Sequence, residues 1–308
     1  MVRGFRGAWV RLAGVTAGYG NGEPVLRGVS ATLTAGRLTA VVGPNAAGKS
    51  TLLRVMLGQV RPTAGAGAGA VEVGGEPVER LRGVELARRL AYVPQRGGSS
   101  FGFTVRETVA MGRFAFGDER GVDEAIAALG LESVAGRPFG ELSGGQQQRV
   151  LVARAWAQAG GGQPGVTEVG LELPGAGGFL ADEPTSSLDV GRAEGVMRLL
   201  RGLADRGWAV GVVLHSLDAA ARWADEAWLL DGRGGLRAGP VEEVLTPGVL
   251  GPVYGVELEA VEHAGRRLFV AVDVGAGLKL PGAGLPFPGA GGDTLGGGDR
   301  DATGGRDG

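Results

Sequence analysis

Residues 43–50 read GPNAAGKS, a run of Gly43, Pro44, Asn45, Ala46, Ala47, Gly48, Lys49 and Ser50 that is followed by Thr51. The spacing G-x-x-x-x-G-K-S puts the backbone N–H groups of a Gly-rich turn at the positive end of a helix, where they can hold the β- and γ-phosphates of a nucleoside triphosphate. Lys49 supplies a point charge, and the Ser50 hydroxyl can ligand magnesium. Lys49 is one of only two lysines beside 29 arginines, the other being Lys279. A second group, Asp182 and Glu183, closes the apolar run Phe179, Leu180, Ala181. A carboxylate at the C-terminal end of such a strand lies beside the phosphate loop in a doubly wound sheet. There Asp182 suits magnesium, directly or through water, and Glu183 suits polarising an attacking water. A third group, Ser143 with Gly144 and Gly145, opens a long helical run and forms a second anion-binding helix N-terminus. One nucleotide hardly needs both from the same chain.

The elements that must position these groups follow from the spacing of apolar residues. Leu38 to Val42 is a compact apolar strand running into the phosphate loop, and Leu52, Leu53, Val55, Met56 and Leu57 continue at helical spacing after it. Before it, Val29, Ala31 and Leu33 are spaced by two, so a small antiparallel β-layer is predicted from Trp9 to Leu38. Helical texture follows in residues 104–113, 123–130 and 143–159. Past Gly178, strands FLADEPT, WAVGVVLH and EAWLLD alternate with helices near Val190 to Ala204 and Leu217 to Ala224. That alternation predicts an α/β fold of the P-loop NTPase type, a mostly parallel sheet covered by helices, with the antiparallel layer and a helical subdomain added.

Composition narrows the function classes. The 31 Lys and Arg against 33 Asp and Glu give a net charge of -2, so no broad basic field draws the chain to nucleic acid. With no Cys and only His215 and His263, thiolate chemistry, disulfides and multi-histidine zinc sites are excluded. No signal peptide and no window of about 18 uninterrupted apolar residues is legible, so a cytoplasmic protein is expected, with any membrane role coming through a partner. Glycines cluster, 13 among residues 275–308 and 8 among residues 160–178. The organisation expected is one domain over 1–273, with a helical subdomain at about 96–158, a Gly-rich insertion at 159–178 and a terminal hairpin at about 255–273. Residues 274–308 have too little periodic apolar content to order and read as a disordered tail.

LSGGQQQR at residues 142–149 and DEPTSSLD at residues 182–189 take the reading further. Together with the phosphate loop they resemble the nucleotide-binding subunits of ABC transporters, from about Trp9 to Val272. The resemblance implies ATP and Mg2+ as cofactors and assigns further residues. Tyr19 looks like the aromatic that stacks on adenine, and Gln95 in YVPQ like the glutamine that touches magnesium and relays its state to a membrane partner. His215 looks like the switch histidine at the γ-phosphate, and Asp189 matches the loop that crosses to the opposite subunit. The family's chains pack head to tail, so Ser143, Gly144, Gly145 and Gln146 of one chain would close over the ATP held by another in a homodimer. Arg149 reads as an exposed helix residue outside the site.

Residues 91–113 and 242–261 resemble the branch that drives uptake of iron chelates, heme and cobalamin. The insertion after Ala159 resembles the hemin importer ATPases. The expectation is therefore a peripheral subunit on the cytoplasmic face of the cell membrane, beneath two integral permease subunits served by a heme-binding solute-binding protein. Import of ferric siderophore or cobalamin is the alternative within the branch, and a soluble ABC-type ATPase without a membrane partner is the alternative outside it. Two departures from the family pattern carry expectations. Ala46 replaces the glycine usual in mid-loop, so a positive φ there would cost about 1 kcal/mol. Gly177 and Gly178 replace apolar residues before Asp182, which predicts a shortened strand.

Overall fold

A computed structural model describes residues 7–20, 22–63, 69–95, 102–160 and 177–272. Most of the Gly-rich insertion and the terminal tail lie outside the described residues. The chain opens with β1 (Ala8–Ala17), β2 (Leu26–Thr34) and β3 (Leu38–Val42), then α1 (Lys49–Met56), β4 (Ala70–Val73) and β5 (Glu76–Pro77). It continues with α2 (Gly83–Arg89), β6 (Leu90–Val93), α3 (Val105–Ala110), α4 (Val122–Ala128) and α5 (Gly144–Gln158). After the insertion come β7 (Gly178–Asp182), α6 (Val190–Asp205), β8 (Ala209–Val213), α7 (Leu217–Trp223) and β9 (Glu226–Leu230). β10 (Leu236–Pro240), α8 (Val241–Val244), α9 (Pro247–Tyr254), β11 (Leu258–His263) and β12 (Arg266–Ala271) complete it.

The central sheet runs β10-β9-β3-β8-β7-β6. β3 pairs in parallel with β8 and β9, and β7 in parallel with β8 and β6, while β10 alone is antiparallel to its neighbour. β3, β7 and β8 are buried along their whole length, which is why they read as unbroken apolar runs. The second sheet, β2-β1-β4-β5, is antiparallel, and its inward residues Val29, Ala31 and Leu33 are the ones that alternate in the sequence.

β7 begins at Gly178, with Gly177 directly before it. It spans five residues, as many as β3 and β8, and the Gly177 carbonyl accepts the Ala209 N–H just ahead of it. The room that side chains would need is filled from elsewhere. A Cβ on Gly177 would stand 2.3 Å from the Trp208 ring, and one on Gly178 would stand 2.4 Å from Leu90 and 2.8 Å from the Trp9 ring. Burial of these large side chains offsets what glycine costs a strand. Replacing Gly178 by Val is therefore expected to destabilise the fold by about 1–3 kcal/mol through overpacking, read as a lower melting temperature, and Leu90→Ala in the same chain should restore part of the loss.

Candidate active site

Four neighbouring parallel strands end on the same side of the sheet, and each delivers one part of the site. β3 runs into the phosphate loop, β8 into Leu214 and His215, β7 ends at Asp182 with Glu183 next, and β6 leads through Pro94 to Gln95. A crevice at the C-terminal ends of parallel strands is where such sheets bind ligands. Here it is a cleft of about 500 Å³ lined by residues 45–51 with Val25, Gln95, Glu183 and His215.

The phosphate loop needs its glycines at both ends. A Cβ on Gly43 would stand 2.5 Å from the Leu230 carbonyl oxygen, and Gly48 has φ +98° with Val25 at 2.8 Å from its missing Cβ. Ala46 does take a positive φ, +62°, so the expected strain is present in the loop. Lys49 is only 6% exposed, and its Nζ donates to the Gly43 and Pro44 carbonyls at 2.8 Å each. Burial pulls its pKa below the ordinary lysine value, against the opposing pull of the Glu183 and Asp182 charges.

Asp182 is 3% exposed, and burial pushes its carboxyl above the ordinary value although Ser50 hydrogen-bonds to it. One of its oxygens, Oδ1, is buried with no hydrogen-bond partner. Beside it, Tyr92 on β6 is pushed up to about 12 by burial first and by the Asp182 charge second. Glu183 holds a φ of +51°, an uncommon conformation for a side chain of its size. Both its oxygens are engaged: His215 Nε2 lies 2.6 Å from Oε1, and the Gln95 amide donates to Oε2 at 2.9 Å. The sequence placed Gln95 at magnesium, whereas in this structure its amide is on Glu183.

The remaining predicted residues fall elsewhere. Tyr19 is half-exposed and stands at the start of the phosphate-loop helix, its hydroxyl 3.4 Å from that of Thr51 and accepting from Arg54. Ser143 and Gln146 form a reciprocal capping box at the head of α5, the Gln146 N–H on the Ser143 hydroxyl and the Ser143 N–H on the Gln146 side chain. Gly145 lies where a Cβ would be 2.8 Å from the Ser187 carbonyl, so the head of α5 packs on the loop after Glu183, while Gly144 faces open space. Asp189 caps α6 through the Arg192 N–H. None of Ser143, Gly144, Gly145, Gln146 or Asp189 lines the cleft of its own chain.

Sequence reasoning misplaced Arg149. It is 8% exposed, and its Nη1 donates to the Leu129 and Gly130 carbonyls at 2.7 and 2.9 Å, tying the end of α4 to α5. A charged residue on a helix reads as solvated in sequence, and only the fold shows that it satisfies a helix C-terminus. Val25 in the cleft and the hydrogen bond between Tyr254 and the Gly43 backbone were also missed, having no motif to mark them.

The sequence model of the family described as ABC transporter matches residues 26–160. The hemin import ATP-binding protein HmuV of Streptomyces coelicolor is 41% identical over 249 residues, 79% of this chain and 82% of the relative. The chain belongs to the ABC transporter ATP-binding subunits. The cobalamin import ATP-binding protein BtuD of Halobacterium salinarum is 44% identical to this ABC ATPase over 235 residues, 73% of this chain and 54% of that relative. Among solved structures, a metal-chelate type ABC transporter in an inward-facing conformation is 26% identical with a TM-score of 0.65, covering 86% of this chain and 98% of its own. A dimeric ATP-binding cassette in a post-hydrolysis state, bound to ADP and Pi, is 27% identical with a TM-score of 0.62, covering 75% and 98%. The ABC ATPase fold, with its antiparallel layer and helical region, is thus the one expected from the sequence.

The buried, unpartnered Asp182 oxygen has a consequence for stability. Asp182→Asn is expected to stabilise the nucleotide-free chain by about 1 kcal/mol at neutral pH, because a buried unpaired anionic oxygen is removed. The sign follows from the raised folded-state pKa: the ionised form is penalised above it, and the penalty vanishes once Asp182 is protonated in both states. The stability gap between the two chains, measured by thermal melts, should therefore close as pH falls to the ordinary carboxylate value and below it.

Proposed function

We propose that this ABC ATPase is the energising subunit of an importer in the cell membrane and that its cargo is hemin. The observation that carries the hydrolytic part is the convergence of Lys49, Ser50, Glu183, Gln95 and His215 on one cleft, with Asp182 buried behind it and hydrogen-bonded to Ser50. Lys49 and the N–H groups of residues 45–51 hold the phosphates of ATP. Ser50 and the free Asp182 oxygen, with Gln95, fit a magnesium ion, a hard cation that takes oxygen ligands. Bound there, Mg2+ would neutralise charge on the phosphates. Glu183 accepts the proton of the attacking water as its oxygen bonds to the γ-phosphorus and the bond to the ADP oxygen breaks, giving ADP and phosphate. His215 holds Glu183 from one side and faces the γ-phosphate from the other. Tyr19 stacks on the adenine.

The site is completed by a second copy. The head of α5 and Asp189, which do not line their own cleft, meet the nucleotide of a head-to-tail partner in this reading, and the dimeric state of the cassette bound to ADP and Pi supports a second copy. A membrane partner is supported by an apolar groove of about 530 Å³ whose lining includes Val84, Leu86, Tyr92, Met111 and Phe114, with Phe114 85% exposed. ATP closes the dimer, the movement passes through the helical region after Gln95 to two permease subunits, and hydrolysis resets it. The 1–273 domain thus works from the cytoplasmic face of the membrane, and a heme-binding solute-binding protein delivers the cargo on the other side. Hemin as cargo is supported by the HmuV relatives and by the insertion after Ala159. The BtuD relative favours cobalamin as the second reading.

Glu183→Gln should still bind ATP, lose turnover by at least ~100-fold and trap an ATP-bound dimer. Near-normal hydrolysis by this variant would reject the role of Glu183. Deleting the gene should abolish growth on hemin as sole iron source and leave siderophore and cobalamin uptake intact. If hemin use persists while cobalamin or ferric-siderophore uptake fails, the cargo is wrong; if no uptake changes, the soluble-ATPase alternative gains.

A further inference from the structure

The terminal hairpin of β11 and β12 joins neither main sheet. It is tethered instead to α7, where the Phe269 backbone N–H donates to Asp218 Oδ1 at 2.8 Å. In β12, Phe269 faces Ala260 across the hairpin, and its side chain and that of Leu258 pack against the main core. The place of the tether is specific. Asp218 sits in the first turn of α7, Ser216 caps that helix through the Ala219 N–H, and the residue before the cap is His215. Farther along α7, Arg222 pairs with Glu194 of α6, so the hairpin and α6 grip the helix at different turns. The His215 side chain is 51% exposed, and its Nε2 lies 2.6 Å from Glu183 Oε1. Its reach to Glu183 is set by the end of β8 on one side and the start of α7 on the other.

We propose that Asp218 is a positioning residue for the nucleotide site: by accepting the Phe269 N–H it lets the terminal hairpin fix the first turn of α7 and, through it, His215. The inference rests on the reading of His215 given above. It assigns the hairpin a part in hydrolysis rather than in folding alone, although neither of its strands supplies a residue that lines the cleft.

The test measures ATP hydrolysis by the full chain. Asp218→Ala should lower kcat about tenfold, the scale of one hydrogen bond, with KM for ATP within about twofold. Asp218→Asn keeps an accepting oxygen and should restore the rate to within about twofold of the parent. In a His215→Ala background, Asp218→Ala should add no further loss, because both act through one group. A purely structural role would instead lower the melting temperature and reduce the rate by the same factor in both backgrounds, and that result overturns the proposal. So does a full rate for Asp218→Ala when His215→Ala is impaired. If His215→Ala itself hydrolyses normally, the reading of His215 falls, and this inference with it.

Discussion

An ammonium group and two carboxylates must stand close together, largely out of water, with room left among them for a polyanion. Lys49 and Asp182 are almost wholly buried, and burial displaces both from their ordinary pKa values toward the neutral forms. Water would relax that tension, and so would a collapsed site in which every oxygen found a donor. The site is not collapsed in this way. It holds Lys49 on the carbonyls of its own loop and leaves an Asp182 oxygen without a partner. Burying such charges costs free energy unless they are paired.

The rest of the structure serves that constraint. Buried parallel strands are rigid, and β3, β8, β7 and β6 stand side by side, so the phosphate loop, His215, Glu183 and Gln95 reach a common cleft from fixed points. Backbone strain gathers at the same place, with Ala46 and Glu183 both at positive φ. Glu183 is aimed by that strain and then held by two neighbours, one on each oxygen. The head of α5 is built differently. Its capping box satisfies the helix from within, and Gly144 keeps an open approach to the backbone, which suits a ligand brought by another chain.

Much of this was legible in the sequence because the site is made of local patterns. A strand, a Gly-rich loop and a helix in succession specify the phosphate loop, and an apolar run ending in two acids specifies β7. The positive φ of Ala46 was readable because a glycine was missing where the resemblance called for one. What was not legible depends on contacts between distant segments. Arg149 reads as a surface residue until α4 ends against it, and Gly177 and Gly178 read as a weak strand until Trp208, Trp9 and Leu90 fill the space. The tether of Asp218 joins residues 51 apart, and the pairing of Gln95 with Glu183 joins residues 88 apart. No periodicity within either segment carries such information.

The central claim, that Asp182 is held as a buried, incompletely satisfied carboxylate in order to meet the phosphate-bound cation, is tested most directly by following its carboxyl carbon by NMR across pH with and without magnesium and ATP. The account predicts a titration above the ordinary aspartate range in the free chain and a large downward shift when both are added. An ordinary titration that nucleotide and magnesium leave unmoved would contradict it.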